Sequence, residues 1–258
     1  MIANGLKRVA RETFPRSFQR VEEALTRRRL KRVENQLTRD YGLNIQSGPF
    51  AGMAYVSEAV CSSLVPKLIG SYEAELNETL AILFKKDFKR IVDIGCAEGY
   101  YAVGLAMKLP EAQVYAFDID AKARELCRQL ALANNVGDRL IIESECNHER
   151  LRELTTERTL IVSDCEGCEL ELLQPDLVPG FRNCDLVVEL HEMVTAGITE
   201  TILNRFLDSH EITLIDSETR DASQYPAIKH YPAAVRATAV AEFRDTRMQW
   251  AHMSAKAT

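Results

Sequence analysis

The sequence predicts an α/β fold: a mostly parallel, seven-stranded sheet sandwiched by helices, with a helical extension ahead of it. Three observations carry this. From residue 90 onward, short apolar segments alternate with segments of helix length, the signature of strands joined by helical crossovers. The first such segment runs into Asp93-Ile94-Gly95 and continues to Gly99, a glycine-punctuated turn between strand and helix. Residues 1–40, by contrast, are rich in Arg and carry no strand pattern.

Taken in order, residues 1–40 read as helix with a break near Pro15. Ser17 is a candidate cap for a second helix to about Thr38, with an apolar stripe of Phe18, Val21, Leu25, Leu30, Val33 and Leu37. The punctuated stretch NIQSGPFAGMAY reads as a loop laid over the main domain. Residues 55–86 look helical in two pieces broken around 66–70, the second running from Tyr72 to Phe84. Leu76, Leu80 and either Ile82 or Leu83 turn it toward a core. Strands are expected at 90–95, 113–118, 139–144, 159–164, 184–189 and 211–216, and near 247–253. Helices fit at 99–109, 120–135, 148–155, 167–174 and 198–209. The connection 217–246, with Tyr225-Pro226 and Tyr231-Pro232, is long enough to serve as a substrate lid. The expected division is therefore 1–69, a helical arm with a cleft-covering loop, and 70–258, the α/β domain.

Composition narrows the function classes. The 258 residues contain no apolar run of membrane-spanning length, and the start has no uninterrupted apolar core, so a cytoplasmic protein without a membrane span is expected. Seven cysteines at 61, 96, 127, 146, 165, 168 and 184 are scattered in a way that suits reduced thiols better than a disulfide framework. Residues 1–40 hold eleven Lys/Arg against five Asp/Glu, although the whole chain has a net charge of −6. The remainder is thus strongly acidic, which disfavours nucleic acid as a partner. The basic arm reads as a solvated helical face or a homodimerisation element.

The glycine turn points to a nucleotide-like ligand. Gly95 and Gly99 permit a tight turn with close approach to the backbone, and the following helix start offers unpaired N–H groups to a carboxylate. The spacing lacks the third glycine of the dinucleotide fingerprint, which disfavours an NAD-dependent oxidoreductase. Asp118 closes the second strand about twenty residues later, where an acid can accept from both ribose hydroxyls.

Residues 91–101, 113–118 and 160–173 together resemble a class I S-adenosylmethionine (SAM)-dependent methyltransferase with a Rossmann-like sheet. The run from Asp164 through Cys165, Glu166, Gly167, Cys168 and Glu169 to Leu173 is similar to the signature of the FkbM-like subgroup, as are Val188-Glu189-Leu190-His191 and Tyr72-Glu73. The resemblance covers roughly residues 70–215. It implies SAM as cofactor, with Asp93, Gly95, Cys96, Ala97, Glu98 and Gly99 forming the methionine-side loop, Asp118 on the ribose, Glu145 and Cys146 near the adenine, and Glu73 approaching from the preceding helix. Cys96-Ala97-Glu98 departs from the usual Gly-Ala-Asn type of loop.

Asp164 and Glu189 end neighbouring strands at the carboxyl edge of the sheet, and His191 lies two residues beyond. These are the expected catalytic residues, with Asp164 central. A hydroxyl acceptor on a small molecule or glycan would use His191 as base. Four carboxylates, Asp164, Glu166, Glu189 and Glu98, around one opening would instead favour an amine or guanidinium. A non-catalytic SAM-binding scaffold is the third reading. A divalent cation is compatible with these acids but not expected, and Cys165-x-x-Cys168 without a second such pair is not read as a zinc site.

Overall fold

The computed structural model describes residues 15–243 and 248–256, with side chains from residue 24. The seven strands are β1 (Arg90–Ile94), β2 (Gln113–Phe117), β3 (Leu140–Glu143), β4 (Thr159–Ser163), β5 (Asp185–Leu190), β6 (His210–Asp216) and β7 (Gln249–Ala255). They form one Rossmann-like sheet in the order β3-β2-β1-β4-β5-β7-β6. Pairings from β3 through β5 are parallel, and β7 runs antiparallel to both β5 and β6. The order reverses between β1 and β4, so their carboxyl ends flank a crevice.

Helices cover both faces, as the alternation predicted. On one face lie α4 (Tyr100–Lys108) and α5 (Ala121–Ala133); on the other lie α6 (His148–Leu154), α7 (Glu169–Leu172) and α8 (Ile198–Phe206). β1 shows why both faces must be covered: Ile91 packs into one apolar cluster and Val92 into the opposite one. Asp120 caps α5 by accepting from the Lys122 N–H at 2.8 Å.

The segment before the sheet holds α1 (Pro15–Tyr41), α2 (Leu64–Ile69) and α3 (Asn77–Leu83). The described part of this helix begins at Pro15, and Ser17 lies inside the helix rather than capping it. Residues 1–14 and the side chains of Phe18 and Val21 fall outside the described set. Of the expected stripe, Val33 and Leu37 are buried while Leu25 is exposed. Val33 and Leu37 join Ile228, Ala239 and Val240 in a small cluster against α9 (Ala233–Ala239).

The GPFAGM loop packs Phe50 against the sheet-covering helix. Phe50 sits so close to Gly104 of α4 that a Cβ there would fall 2.6 Å from its ring. The helix expected from residue 55 is not formed until Leu64. Tyr55 and Val56 are buried as a plug, and the Val60 N–H donates to the Glu98 carboxylate instead of closing a helical turn. The next helix begins at Asn77 rather than Tyr72, because the chain turns left-handed at Glu73 (φ 45°). Leu76, Leu80 and Leu83 face inward, and Ile82 is exposed.

Candidate active site

A cavity of about 860 Å³ opens along the carboxyl ends of β1–β5. Its walls include Gly95, Ala97, Asp118, Glu145 and Cys146 at one end, and Glu73, Asp164, Glu189 and His191 at the other. The size suits a nucleoside-sized ligand with a second molecule beside it.

Backbone geometry builds the first end. Gly95 adopts φ +83°, and its N–H and that of Cys96 both donate to Phe117 O at 2.9 Å, locking the turn onto the end of β2. The Ala97 N–H donates to Asp118 Oδ2 at 2.9 Å and the Asp120 N–H to Asp118 Oδ1 at 2.8 Å. The Asp118 carboxylate is thereby fixed on the cavity wall, with remaining lone pairs for hydroxyl donors. Ile119 beside it is highly exposed, an apolar surface at the cavity that the strand pattern did not single out.

Four residues expected around the ligand stand behind this wall. Glu98 is fully buried, ion-paired with Lys67, and accepts from Tyr55 Oη at 2.6 Å and the Val60 N–H at 2.9 Å. Burial would raise its carboxyl, but Lys67 and these donors hold it below the ordinary range. Glu98 therefore pins the 55–60 segment and does not join the acids at the cavity. Cys96 is buried with its thiol toward Cys127, which with burial pushes it up. Gly99 is required by packing, since a Cβ would meet Cys127 Sγ at 2.7 Å. Asp93 is buried under the turn, with one oxygen unpartnered and its carboxyl raised by burial to about 7.

The second end is an acid cluster around one imidazole. His191 Nε2 lies 3.4 Å from Asp164 Oδ1, 3.4 Å from Glu189 Oε2 and 3.6 Å from Glu166 Oε2; Nδ1 lies 3.0 Å from Glu169 Oε1. Burial opposes its charge, yet Asp164, Glu169 and Glu189 raise it to about 12. The charged ring that these contacts favour faces acids on both of its nitrogens. Asp164 is raised well above the carboxylate range by burial and by the charge of Glu189, against the pull of His191. Two overlapping triplets, Asp164–Glu166–His191 and Glu73–Asp164–Glu189, keep their ligand atoms within 4.8 Å, an oxygen-rich set of the type hard divalent cations accept.

Cys165 and Cys168 both line the cavity and are joined in a disulfide, where free thiols were expected. The turn supplies the reason: residues 166 and 167 take φ values of 56° and 107°, which folds the chain back and brings the two cysteines together. The Cys165 N–H donates to Glu169 Oε1 at 2.9 Å, tying the same loop to the acid that faces His191. Sequence reasoning missed Lys67, Tyr72, Met193, Val194 and Glu242, which also line the cavity. Of these, Met193 and Val194 left a signal, two large apolar side chains in an otherwise polar loop, and both are exposed.

Residues 77–156, spanning α3 through α6, match the model of the methyltransferase small domain. The matched stretch takes in the Gly95–Gly99 turn and Asp118. Over 89 residues the chain is 36% identical to a release factor glutamine methyltransferase of Flavobacterium psychrophilum, covering 34% of this chain and 30% of that protein. The chain thus spans about a third of the length of the curated relative it matches. Among solved structures, a precorrin-6y C5,15-methyltransferase from Geobacter metallireducens is 14% identical with a TM-score of 0.49, covering 78% of this chain and 93% of that one. A geranyl diphosphate C-methyltransferase from Streptomyces coelicolor is 14% identical with a TM-score of 0.43, covering 86% and 91%. No helix among the described residues is long and apolar enough to cross a membrane.

Proposed function

We propose that the protein transfers a methyl group from SAM to a small molecule whose acceptor atom lies among Asp164, Glu189 and His191. The observation that carries this reading is the single cavity joining the Gly95–Asp118 wall to the acid cluster. The cofactor fits: Asp118 offers lone pairs to ribose hydroxyls, Ile119 an apolar surface to a base, and the Gly95 turn leaves backbone close to the cavity. Glu145 and Cys146 would border the base and Glu73 the methyl-bearing end. SAM supplies an electrophilic methyl on a sulfonium.

A hydroxyl acceptor, on a small molecule or glycan, must lose its proton as it is methylated. The Asp164–Glu189 pair is placed to take it, with His191 fixing both acids from one side and Glu169 fixing His191 from the other. The second reading is an amine or guanidinium acceptor, favoured because Glu73, Asp164, Glu166, Glu189 and Glu242 all line the cavity. The run from Asp164 to Leu173 supports an FkbM-like placement and a role in specialised metabolism. The basic, partly exposed α1 supports homodimerisation through the arm in a cytoplasmic enzyme. Residues 217–243 would border the acceptor as a lid.

The test combines S-adenosylhomocysteine (SAH) titration with a screen of hydroxyl compounds, amines and guanidines against methyl-labelled SAM. Wild type binds SAH, and Asp164→Asn lowers kcat at least a hundredfold while SAH affinity changes only a few-fold. Failure of SAH to bind, or full turnover by the variant, removes the proposal.

A further inference from the structure

The connection between β6 and β7 crosses back over the turn that precedes α3, and one side chain makes the crossing. The Arg220 side chain is largely buried, with 8% of its surface exposed. Its Nε donates to Ser71 O at 2.9 Å, one terminal nitrogen donates to Glu218 O at 2.7 Å, and the other pairs with Glu75 and with Glu242 Oε1 at 2.8 Å. The same Glu242 oxygen accepts the Glu73 N–H at 3.2 Å. A single guanidinium therefore grips the turn at residues 71 and 75 and, through Glu242, at residue 73. A lysine cannot reproduce this fork.

Between those grips, Glu73 holds φ 45° and ψ 42°, a left-handed conformation costing a non-glycine residue about 1 kcal/mol or more. Its buried carboxylate accepts from Tyr101 Oη and stands in one triplet with Asp164 and Glu189. The turn's unfavourable backbone thus coincides with delivery of a carboxylate to the cavity. Glu242, which Arg220 also orients, lines the same cavity.

We infer that Arg220 is a positioning residue: it holds Glu73 and Glu242 at the methyl-transfer end of the cavity, so that residues 217–243 act as a clamp that completes the site. This rests on the methyl-transfer reading for the placement of the donor. Neither the Asp118 hydrogen bonds nor the Gly95 turn involves Arg220, so the clamp acts on the charged end alone.

The experiment compares SAH with sinefungin, a SAM analogue carrying an ammonium where the methylsulfonium would be. The ratio of their affinities reads the carboxylate field at the methyl position without requiring an acceptor. Wild type binds sinefungin at least tenfold more tightly than SAH. In Arg220→Gln that preference falls about tenfold while SAH affinity stays within twofold; Glu242→Gln, which keeps the guanidinium, loses three- to fivefold. Arg220→Lys restores the fold, by circular dichroism and melting, but not the preference. A ratio unchanged in Arg220→Gln, a wild-type ratio near one, or parallel loss of both ligands in all three variants overturns the positioning role. Absence of SAH binding to wild type overturns the methyl-transfer reading instead.

Discussion

Gly95 lies against the main chain of Asp164, so closely that a Cβ on the glycine would fall 1.8 Å from the Asp164 carbonyl oxygen. The two ends of the cavity therefore meet at a backbone contact that admits no side chain. Gly95→Ala must both force a left-handed φ on alanine and push β4's end away. Expected are a loss of several kcal/mol in stability and at least a tenfold loss of SAH affinity. Thermal melts and calorimetric titration read the two effects separately, and wild-type values for both would show the contact to be dispensable.

Asp118 is held by two backbone N–H groups, and its remaining lone pairs face the cavity. Asp118→Ala removes charge-assisted acceptors from the ribose position, an effect of about 1.5–3 kcal/mol, or roughly ten- to a hundredfold in SAH affinity. Retained affinity in a folded Asp118→Ala protein would place the ribose elsewhere.

Asp93 gives a stability signature with a defined sign. Burial raises its carboxyl to about 7 in the fold, against about 4 unfolded, so between these values the native state binds the extra proton. Its contribution to stability is full below about pH 4 and declines as pH rises to about 7, by up to about 1.4 kcal/mol per pH unit. Asp93→Asn should flatten that slope relative to wild type in urea unfolding between about pH 4 and about pH 7. Parallel slopes would mean that the carboxyl titrates normally.

The Cys165–Cys168 bond leaves Cys61, Cys96, Cys127, Cys146 and Cys184 as free thiols. Thiol titration in denaturant should count five before reduction and seven after. Closing so short a loop contributes about 2 kcal/mol on a chain-entropy basis, so reduction should lower the melting temperature by a few degrees. Seven thiols without reductant would indicate an open pair.

Much of the sheet was legible because strand and helix periods are local. Each expected strand appears within a few residues of its place, and Gly95, Asp118, Asp164, Glu189 and His191 fall on the cavity through register alone. What was not legible depends on partners far along the chain. Glu98 sits in the glycine loop, where spacing suggests a ligand, yet Lys67 and Tyr55 draw it into the core. The basicity of His191 comes from carboxylates on several elements, and no single segment announces it. Arg220 looks like any loop arginine until Glu75 and Glu242 are seen beside it. The helix misplaced at 55–63 is a case of tertiary burial overriding local propensity.

The insertion of β7 between β5 and β6 gives the two ends of the cavity different histories. The wall around Gly95 and Asp118 is assembled from neighbouring strands and crossover helices, contacts the chain can close early. Glu189, however, pairs with Trp250, 61 positions further on, so the acid-bearing strand is flanked on both sides only when that distant segment arrives. Pulsed hydrogen exchange during refolding should find β1 and β2 protected before β5 and β7. The Gly95–Asp118 half of the cleft then forms as a local unit, and the half that carries Glu189 forms last.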